Sequence, residues 1–314
     1  MRSPVPHLRG AVAVALALTA LAPVAGHAQT KLSGIGDSMM QGANARLSWW
    51  PPPGDQIQYS YAQGWDSTVN PVYRRYRALG LLPLGEQFVS VDGAEMVGGS
   101  NNAPAQAQRI CGQALKPDRI VLELGANDVC NRSSVATLYA ADTFHAALAQ
   151  ALEILASPSC RLPSGTRVHV PTIPLVNFLY QAGLEKQWST GTPCQLIWYT
   201  ANICPAVTRG SSADRATITQ RVEEYNARIA AAVAAAQGKH GRKVRFTTDY
   251  NGDMATAPNA SIGTYRFTGA DLSDIDCFHP KWSTGQRKLA CAVWESWESA
   301  ALGGSGDEAA CFTQ

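Results

Sequence analysis

Short apolar runs punctuate the chain, and between them lie longer segments in which apolar residues return at helical spacing. The runs fall at Leu32 to Gly36, Gln87 to Val91, Arg119 to Leu124, Arg167 to Pro171 and Val244 to Thr248. This alternation predicts parallel strands, because each parallel strand needs a crossover before the next. Helices are predicted near Trp65 to Ala78, Pro104 to Leu115, Val135 to Ala156, Ala213 to Gln237 and Ser283 to Ala300. Pro104 suits a first helical position, where its missing N–H is no loss. Arg228 to Ala236 is very alanine-rich, which costs little side-chain entropy in a helix and permits close packing on a sheet. Two stretches stand outside the pattern. Trp49-Trp50-Pro51-Pro52-Pro53-Gly54 is incompatible with helix, and residues 172–211 keep no strong period while carrying Cys194, Cys204, Phe178, Tyr180, Trp188, Trp198 and Tyr199. Both are predicted as long loops, with the aromatics either lining a substrate pocket or covering the sheet edge.

The amino-terminal pattern differs from everything after it. Arg2 and Arg9 precede an apolar run from Ala11 to Leu21, and small residues follow to Gly26-His27-Ala28. That is the layout of a secretory signal peptide spanning residues 1–28, cleaved after Ala28, which leaves residues 29–314 as a single predicted domain. No later run reaches the ~20 apolar residues of a membrane-spanning helix. The mature chain is therefore predicted to be soluble and secreted, to the periplasm or the medium. Charge adds only an exclusion. The full chain carries 26 Lys and Arg against 24 Asp and Glu, and loss of Arg2 and Arg9 balances them, so nucleic acid and anionic membrane surfaces are not indicated as partners. All eight cysteines lie after the signal, and an even count in an exported chain favours disulfides. The connectivity stays open. A Cys194–Cys204 bridge would stiffen the 172–211 loop, and a bridge from Cys277 to Cys291 or Cys311 would clamp the segment around it.

Three blocks carry chemistry, two at strand ends and one in a later loop. The first strand runs into Gly36-Asp37-Ser38-Met39-Met40-Gln41-Gly42, placing a serine where ligands bind in open α/β sheets. The third runs into Gly125-Ala126-Asn127-Asp128, whose Asn side chain can offer an N–H to an oxyanion or cap a helix. Near the carboxyl end comes Asp276-Cys277-Phe278-His279-Pro280, in which Asp276 can turn back to one ring nitrogen of His279 and aim the other at a serine. Singly, each block reads equally well as a turn or a helix cap. In this order, each at a predicted strand end or in a following loop, they read as a nucleophile, an oxyanion donor and a base with its carboxylate.

Through these blocks the chain resembles the GDSL, or SGNH, family of esterases and lipases over nearly its whole mature length. Gly36-Asp37-Ser38 is similar to the family's nucleophile block, and Gly93, in Val91-Asp92-Gly93-Ala94, to the glycine whose N–H the family uses. Gly125-Ala126-Asn127-Asp128 and Asp276-Cys277-Phe278-His279 resemble its Gly-x-Asn-Asp and Asp-x-x-His blocks. Met39 departs from the commoner Leu, Ile or Tyr. Cys130, Cys194, Cys204 and Cys277 make the secreted, disulfide-rich, phospholipase B-like branch the nearest resemblance. The resemblance implies a three-layer α/β/α sandwich around a mostly parallel, five-stranded, flavodoxin-like sheet. It also implies Ser38, Asp276 and His279 as catalytic residues, with Ser38, Gly93 and Asn127 forming the oxyanion hole.

A serine hydroxyl needs a base near neutral pH, so His279 is expected to take its proton while Asp276 stabilises the imidazolium, with activity on the neutral-to-alkaline side. No cofactor or metal is expected. The cysteines lack zinc-ligand spacing, and Asp249-Tyr250-Asn251-Gly252-Asp253 has its glycine too early for a calcium loop. His145, His169 and His240 are expected to be packing or surface residues. The substrate is expected to be a small-molecule or lipid ester, acyl or aryl. The alternatives are a carbohydrate acetylester, a thiol mechanism through Cys277, and a secreted binding module without catalysis.

Overall fold

The computed structural model of the chain describes residues 31–48, 52–80, 88–249, 262–264, 266–298 and 311. Residues 1–28, which the sequence suggests are a signal peptide, Trp49 to Pro51, and Tyr250 to Asp253 lie outside them. Four strands form one parallel sheet in chain order: β1 (Leu32–Ile35), β2 (Arg119–Leu122), β3 (Thr166–His169) and β4 (Val244–Thr247). Ile35, Ile120, Val121, Leu122, Val168 and Val244 are wholly buried, as expected of strands covered on both faces. The fold is α/β, a parallel sheet flanked by helices.

The expected second strand is the point of difference. Gln87 is outside the described residues, and residues 88–91 are not a strand of the sheet. They nevertheless run along the free edge of β1, where Val89 N–H donates to Gly34 O at 2.9 Å and Val91 N–H to Gly36 O at 3.1 Å. The carbonyl of Ile35, pointing the other way, accepts from Glu123 N–H on the β2 side. The chain therefore leaves β1 in one direction to reach residues 88–91 and in the other to reach β2, which makes the carboxyl ends of β1 and β2 a topological switch point.

Handedness then distributes the helices. Every step from β1 to β4 moves the same way, so right-handed crossovers place their helices on one face. These are α3 (Ala103–Gly112), α5 (Ala141–Ala156) and α9 (Ser212–His240), which pack side by side. The other group is α2 (Val72–Ala78) and α10 (Gly285–Trp297), joined by edge-on contacts of Tyr76 with Trp294 and Trp297. Helix α9 starts where sequence dictates: Ser211 Oγ accepts from Asp214 N–H while Asp214 accepts from Ser211 N–H, a capping box. Helix α3 is capped by Asn102, so Pro104 takes the second rather than the first helical position. Helix α2 begins only at Val72, after Pro71, and not at Trp65.

At the carboxyl ends of the strands lie α1 (Ser38–Gln41), α4 (Ala126–Cys130), α6 (Asn177–Thr190), α7 (Cys194–Ala201) and α8 (Pro205–Thr208). The 172–211 stretch is thus largely helical, not a loop. Among the described residues no helix is long and apolar enough to cross a membrane.

The eight cysteines pair as Cys111–Cys160, Cys130–Cys204, Cys194–Cys277 and Cys291–Cys311. Both bridges considered from sequence are therefore wrong in partner. Cys194 and Cys204 flank α7 and face different neighbours, and Cys277 is clamped by Cys194 rather than from the carboxyl end. The Cys111–Cys160 bridge ties the end of α3 to the turn after α5 across 49 residues, remote from the carboxyl ends of the strands. Replacing both its cysteines by serine is expected to lower stability by about 2–4 kcal/mol through the freer unfolded chain, read by denaturant unfolding.

Candidate active site

The strand β1 ends at Ile35, and the chain turns through Gly36 and Asp37 into α1, with Ser38 as its first residue. Gly36 is required by packing, since an added Cβ would lie 2.8 Å from Met40 Sδ. Side-chain amides hold the turn. Gln106 of α3 bonds both sides of the Gly36 backbone, accepting from its N–H at 2.9 Å and donating to its carbonyl at 3.0 Å. Gln286 of α10 donates to Met39 O, Gln63 to Met40 O, and Gln41 to Ser90 O. Asp37 accepts from Met39 N–H at 2.9 Å, capping α1. Ser38 is left with its backbone N–H unpaired among the described residues and its hydroxyl facing the cleft.

His279 arrives from the opposite end of the chain. Cys277 has φ 55°, in the left-handed region, and this reversal turns the N–H groups of Phe278 and His279 back onto Asp276 Oδ1, each at 2.9 Å. Asp276 Oδ2 meets His279 Nδ1 at 2.6 Å, and His279 Nε2 meets Ser38 Oγ at 2.9 Å. The carboxylate is buried, and Asn44 Nδ2 supplies a further bond to Oδ2 at 2.8 Å. Trp198 Nε1 donates to Asp276 O at 3.1 Å, and Cys194 of α7 bonds Cys277, so the loop is fastened from two sides.

The two groups shift each other in opposite senses. Burial alone would lower the His279 pKa, but the Asp276 carboxylate, with Asp37 and Asp92 further off, holds it above the ordinary histidine value. Burial would raise Asp276, but the His279 charge and the hydrogen bonds from His279 and Asn44 hold it below the usual carboxylate range. Asp37 lies in the same field and is pushed up to about 7, chiefly by burial.

The expected oxyanion donors converge on the same cleft. Val91 O accepts from Ala94 N–H at 3.1 Å, closing a turn in which Gly93 has φ 70°. The Gly93 N–H makes no hydrogen bond among the described residues. Asn127, at the start of α4, also lines the cleft, but both its amide hydrogens are engaged, with Asp37 Oδ2 and Ala94 O at 3.1 Å each. An oxyanion would have to draw the amide from one of these acceptors. Its neighbour Asp128 accepts from Met96 and Val97 N–H and so ties the turn carrying Gly93 to α4.

Several of these groups carry no signal in the sequence. Asn44 sits at φ 51° in an unremarked loop, and Trp198 lies in a stretch without a period. The remaining histidines stand elsewhere. His169 is buried between Thr247 and Ser296 and pushed down to about 3 by burial, His240 pairs with Glu153, and His145 is half-buried on α5. Cys277, being disulfide-bonded, offers no thiol nucleophile. Asp249 accepts from Thr172 and Ile262 and pins the chain after β4.

Two recesses open from Ser38 and His279. One is a narrow slot with an apolar lining that includes Met39, Val176, Leu179, Phe267 and Phe278. The other is a wider, more open cleft edged by Asp92, Gly93, Asn131 and Asn202. Cys130 lines both, and its bridge to Cys204 fixes the wall between them.

A hydroxyl, an imidazole and a carboxylate stand here in one hydrogen-bonded row at the switch point of a parallel sheet, an arrangement that can support nucleophilic chemistry. The GDSL-like Lipase/Acylhydrolase family model matches residues 33–293, and the chain belongs to that family of ester hydrolases. No curated protein matches it. Among solved structures it is similar to LAE5, an alpha/beta hydrolase enzyme from the metagenome of Lake Arreo, Spain, at 16% identity and TM-score 0.44, over 86% of this chain and 95% of that one. A protein from Lactobacillus plantarum aligns at 14% identity and TM-score 0.43, over 87% and 98%. A protein described as a GDSL-like lipase from Parabacteroides merdae aligns at 14% and 0.39, over 85% and 95%. Likeness at this level speaks to neither substrate nor mechanism.

His279 must be neutral to accept a proton, so kcat/KM is expected to rise with pH through a value above the ordinary ~6.5 of histidine. Asp276→Asn removes the charge that raises it. The acid limb should then move to lower pH while turnover falls by ~10²–10⁴, and an unmoved limb would exclude this carboxylate as the partner of His279. Asn44→Gly keeps the left-handed backbone but deletes the bond to Asp276. Turnover is expected to drop roughly tenfold, the equivalent of about 1.5 kcal/mol for one hydrogen bond to a charged group, measured by steady-state kinetics.

Proposed function

We propose that this protein is an exported serine esterase that cleaves carboxylic esters through an acyl-enzyme on Ser38. The observation that carries this reading is the row Ser38 Oγ, His279, Asp276, with contacts of 2.9 and 2.6 Å, opening onto an apolar slot. Ser38 Oγ attacks the ester carbonyl as its proton passes to His279 Nε2, and Asp276 stabilises the imidazolium. The N–H groups of Ser38 and Gly93 and the Asn127 amide receive the oxyanion. His279 returns its proton to the departing alcohol, and the acyl group stays on Ser38. Water, deprotonated by His279, then opens the acyl-enzyme and releases the acid.

The acyl group is assigned to the apolar slot and the alcohol to the wider, more polar cleft. A narrow slot walled by Val176, Leu179, Phe267 and Phe278 favours short and medium acyl groups over long fatty chains. Export is supported by the amino-terminal pattern and by four disulfides, which persist in oxidising compartments. The mature chain is read as one hydrolase domain.

The purified mature protein should hydrolyse p-nitrophenyl acetate, butyrate and octanoate with kcat/KM at least tenfold above that for palmitate. Ser38→Ala should abolish all of it while unfolding at the wild-type temperature. Residual turnover above about a thousandth of wild type in Ser38→Ala would point to another nucleophile.

A further inference from the structure

A glycine backbone bends as readily one way as the other, so a turn that must aim the Gly93 N–H has to be held from outside. Packing does not hold it, since no atom beyond the chain neighbours lies within 4 Å of the place a Cβ on Gly93 would take. Helix α4 grips the turn through hydrogen bonds instead. Asn127 donates to Ala94 O at 3.1 Å, and Asn131, one helical turn further on and on the same face, donates to Gly93 O at 3.0 Å. Asn131 spends the other hydrogen of the same amide on Glu95 Oε1 at 2.9 Å. We propose that Asn131 and Glu95 are positioning residues of the hydrolytic site, holding the Gly93 N–H where the oxyanion forms. The proposal rests on the Ser38 reading above and adds two groups that act through Gly93 without touching the reacting atoms.

Glu95 is buried and both its oxygens are engaged. Oε1 accepts from Asn131 and Arg132, and Oε2 accepts from the Tyr139 hydroxyl at 3.2 Å. Gly98 makes room for that contact, because an added Cβ there would lie 2.2 Å from Glu95 Oε2 and 2.4 Å from Tyr139 Oη. Tyr139 O accepts in turn from Arg221 and Tyr225 of α9. Hydrogen bonds therefore run without a break from a core helix through Tyr139, Glu95 and Asn131 to Gly93. Arg132 balances the Glu95 charge, with its guanidinium 4.7 Å from the centre of the Tyr139 ring, so the hold sets no unbalanced negative charge beside a developing oxyanion.

Asn131 also lines the wider cleft, which makes direct contact with substrate the competing role. Its hydrogen bonds argue against that role. With both amide hydrogens engaged, Asn131 can donate to a substrate only by releasing Gly93 or Glu95.

The test compares Asn131→Ala, Glu95→Ala and Glu95→Gln with the wild-type mature protein on p-nitrophenyl butyrate, and in their affinity for trifluoromethyl butyl ketone and methyl butyl ketone. Ser38 Oγ adds to the carbonyl carbon of the fluorinated ketone as its proton passes to His279, and the ketone oxygen becomes an oxyanion. The methyl ketone, far less electrophilic, reports binding without that charge. In Asn131→Ala, kcat is expected to fall about ten- to hundredfold with KM within about twofold of wild type. Affinity for the fluorinated ketone should fall in step while that for the methyl ketone holds. Glu95→Gln keeps an acceptor for Asn131 and should retain kcat within about threefold, whereas Glu95→Ala should match Asn131→Ala. If Glu95→Ala does not fold, Asn131→Ala and Glu95→Gln decide the matter. A raised KM at unchanged kcat would make Asn131 a substrate contact and overturn the proposal, as would wild-type kcat in Asn131→Ala or equal loss of affinity for both ketones. If hydrolysis depends on Ser38 while Asn131→Ala is unimpaired, the positioning role alone falls. If hydrolysis survives Ser38→Ala, the site reading falls and the positioning role with it.

Discussion

A carboxylate buried in protein must be surrounded by donors, and much of this site follows from satisfying Asp276. Its two oxygens take hydrogen bonds from Asn44, Phe278 N–H, His279 N–H and the His279 ring, while its carbonyl takes one from Trp198. Removing a partner from a buried ion pair typically costs about 3–5 kcal/mol, so each of these groups is constrained in turn. Asn44 is held by Gly54 and by Ser273, which donates to its carbonyl. Trp198 packs onto Gly183 of α6, where an added Cβ would lie 2.0 Å from the indole. Lys186, one turn further on, is buried against Asp274 at 2.5 Å, two residues before Asp276. Asp276 and His279 are therefore seated by two helices, α6 and α7, and by the loops that carry Asn44 and Ser273.

Ser38 is held by a different device. Around Ser38 the fixing groups are neutral amides, Gln106, Gln286, Gln63 and Gln41, each bonded to backbone. Neutral donors can be buried at modest cost and add no charge to the field that sets the His279 pKa. The acids that do contribute, Asp37 and Asp92, act in the same sense as Asp276 on the imidazole. Sheet topology supplies the rest, since only at the carboxyl ends of β1 and β2 do loops diverge to leave a crevice.

What the sequence makes legible follows from which interactions are local. Strands β1, β2, β3 and β4 are apolar runs, and the boundaries of α9 are written in its capping box, so these were readable to within a few residues. Helix α6 was not, and its burial explains why. Leu179, Ala182, Gly183 and Lys186 form a helical stripe, but two of the four are not apolar: Gly183 makes room for Trp198, and Lys186 is neutralised by Asp274. Both reasons lie elsewhere in the chain. Disulfide partners and Asn44 are hidden for the same cause, since pairings across 83 or 232 residues leave no local trace. The blocks around Ser38, Asn127 and His279 were legible because each is a short turn whose residue types are dictated on the spot. Gln87 to Val91 reads as a strand on apolarity, whereas residues 88–91 join β1 by two hydrogen bonds without becoming one.

Ser38 and His279 are separated by 241 residues, and Cys277 finds its partner 83 residues earlier. During synthesis Ser38 is made well before His279. Until His279 follows, the nascent chain holds the Ser38 hydroxyl with no imidazole beside it. The two halves of the catalytic row meet only when nearly everything between them has been made and packed. Premature termination anywhere before His279 thus leaves a fragment without its base, not a poorly regulated enzyme.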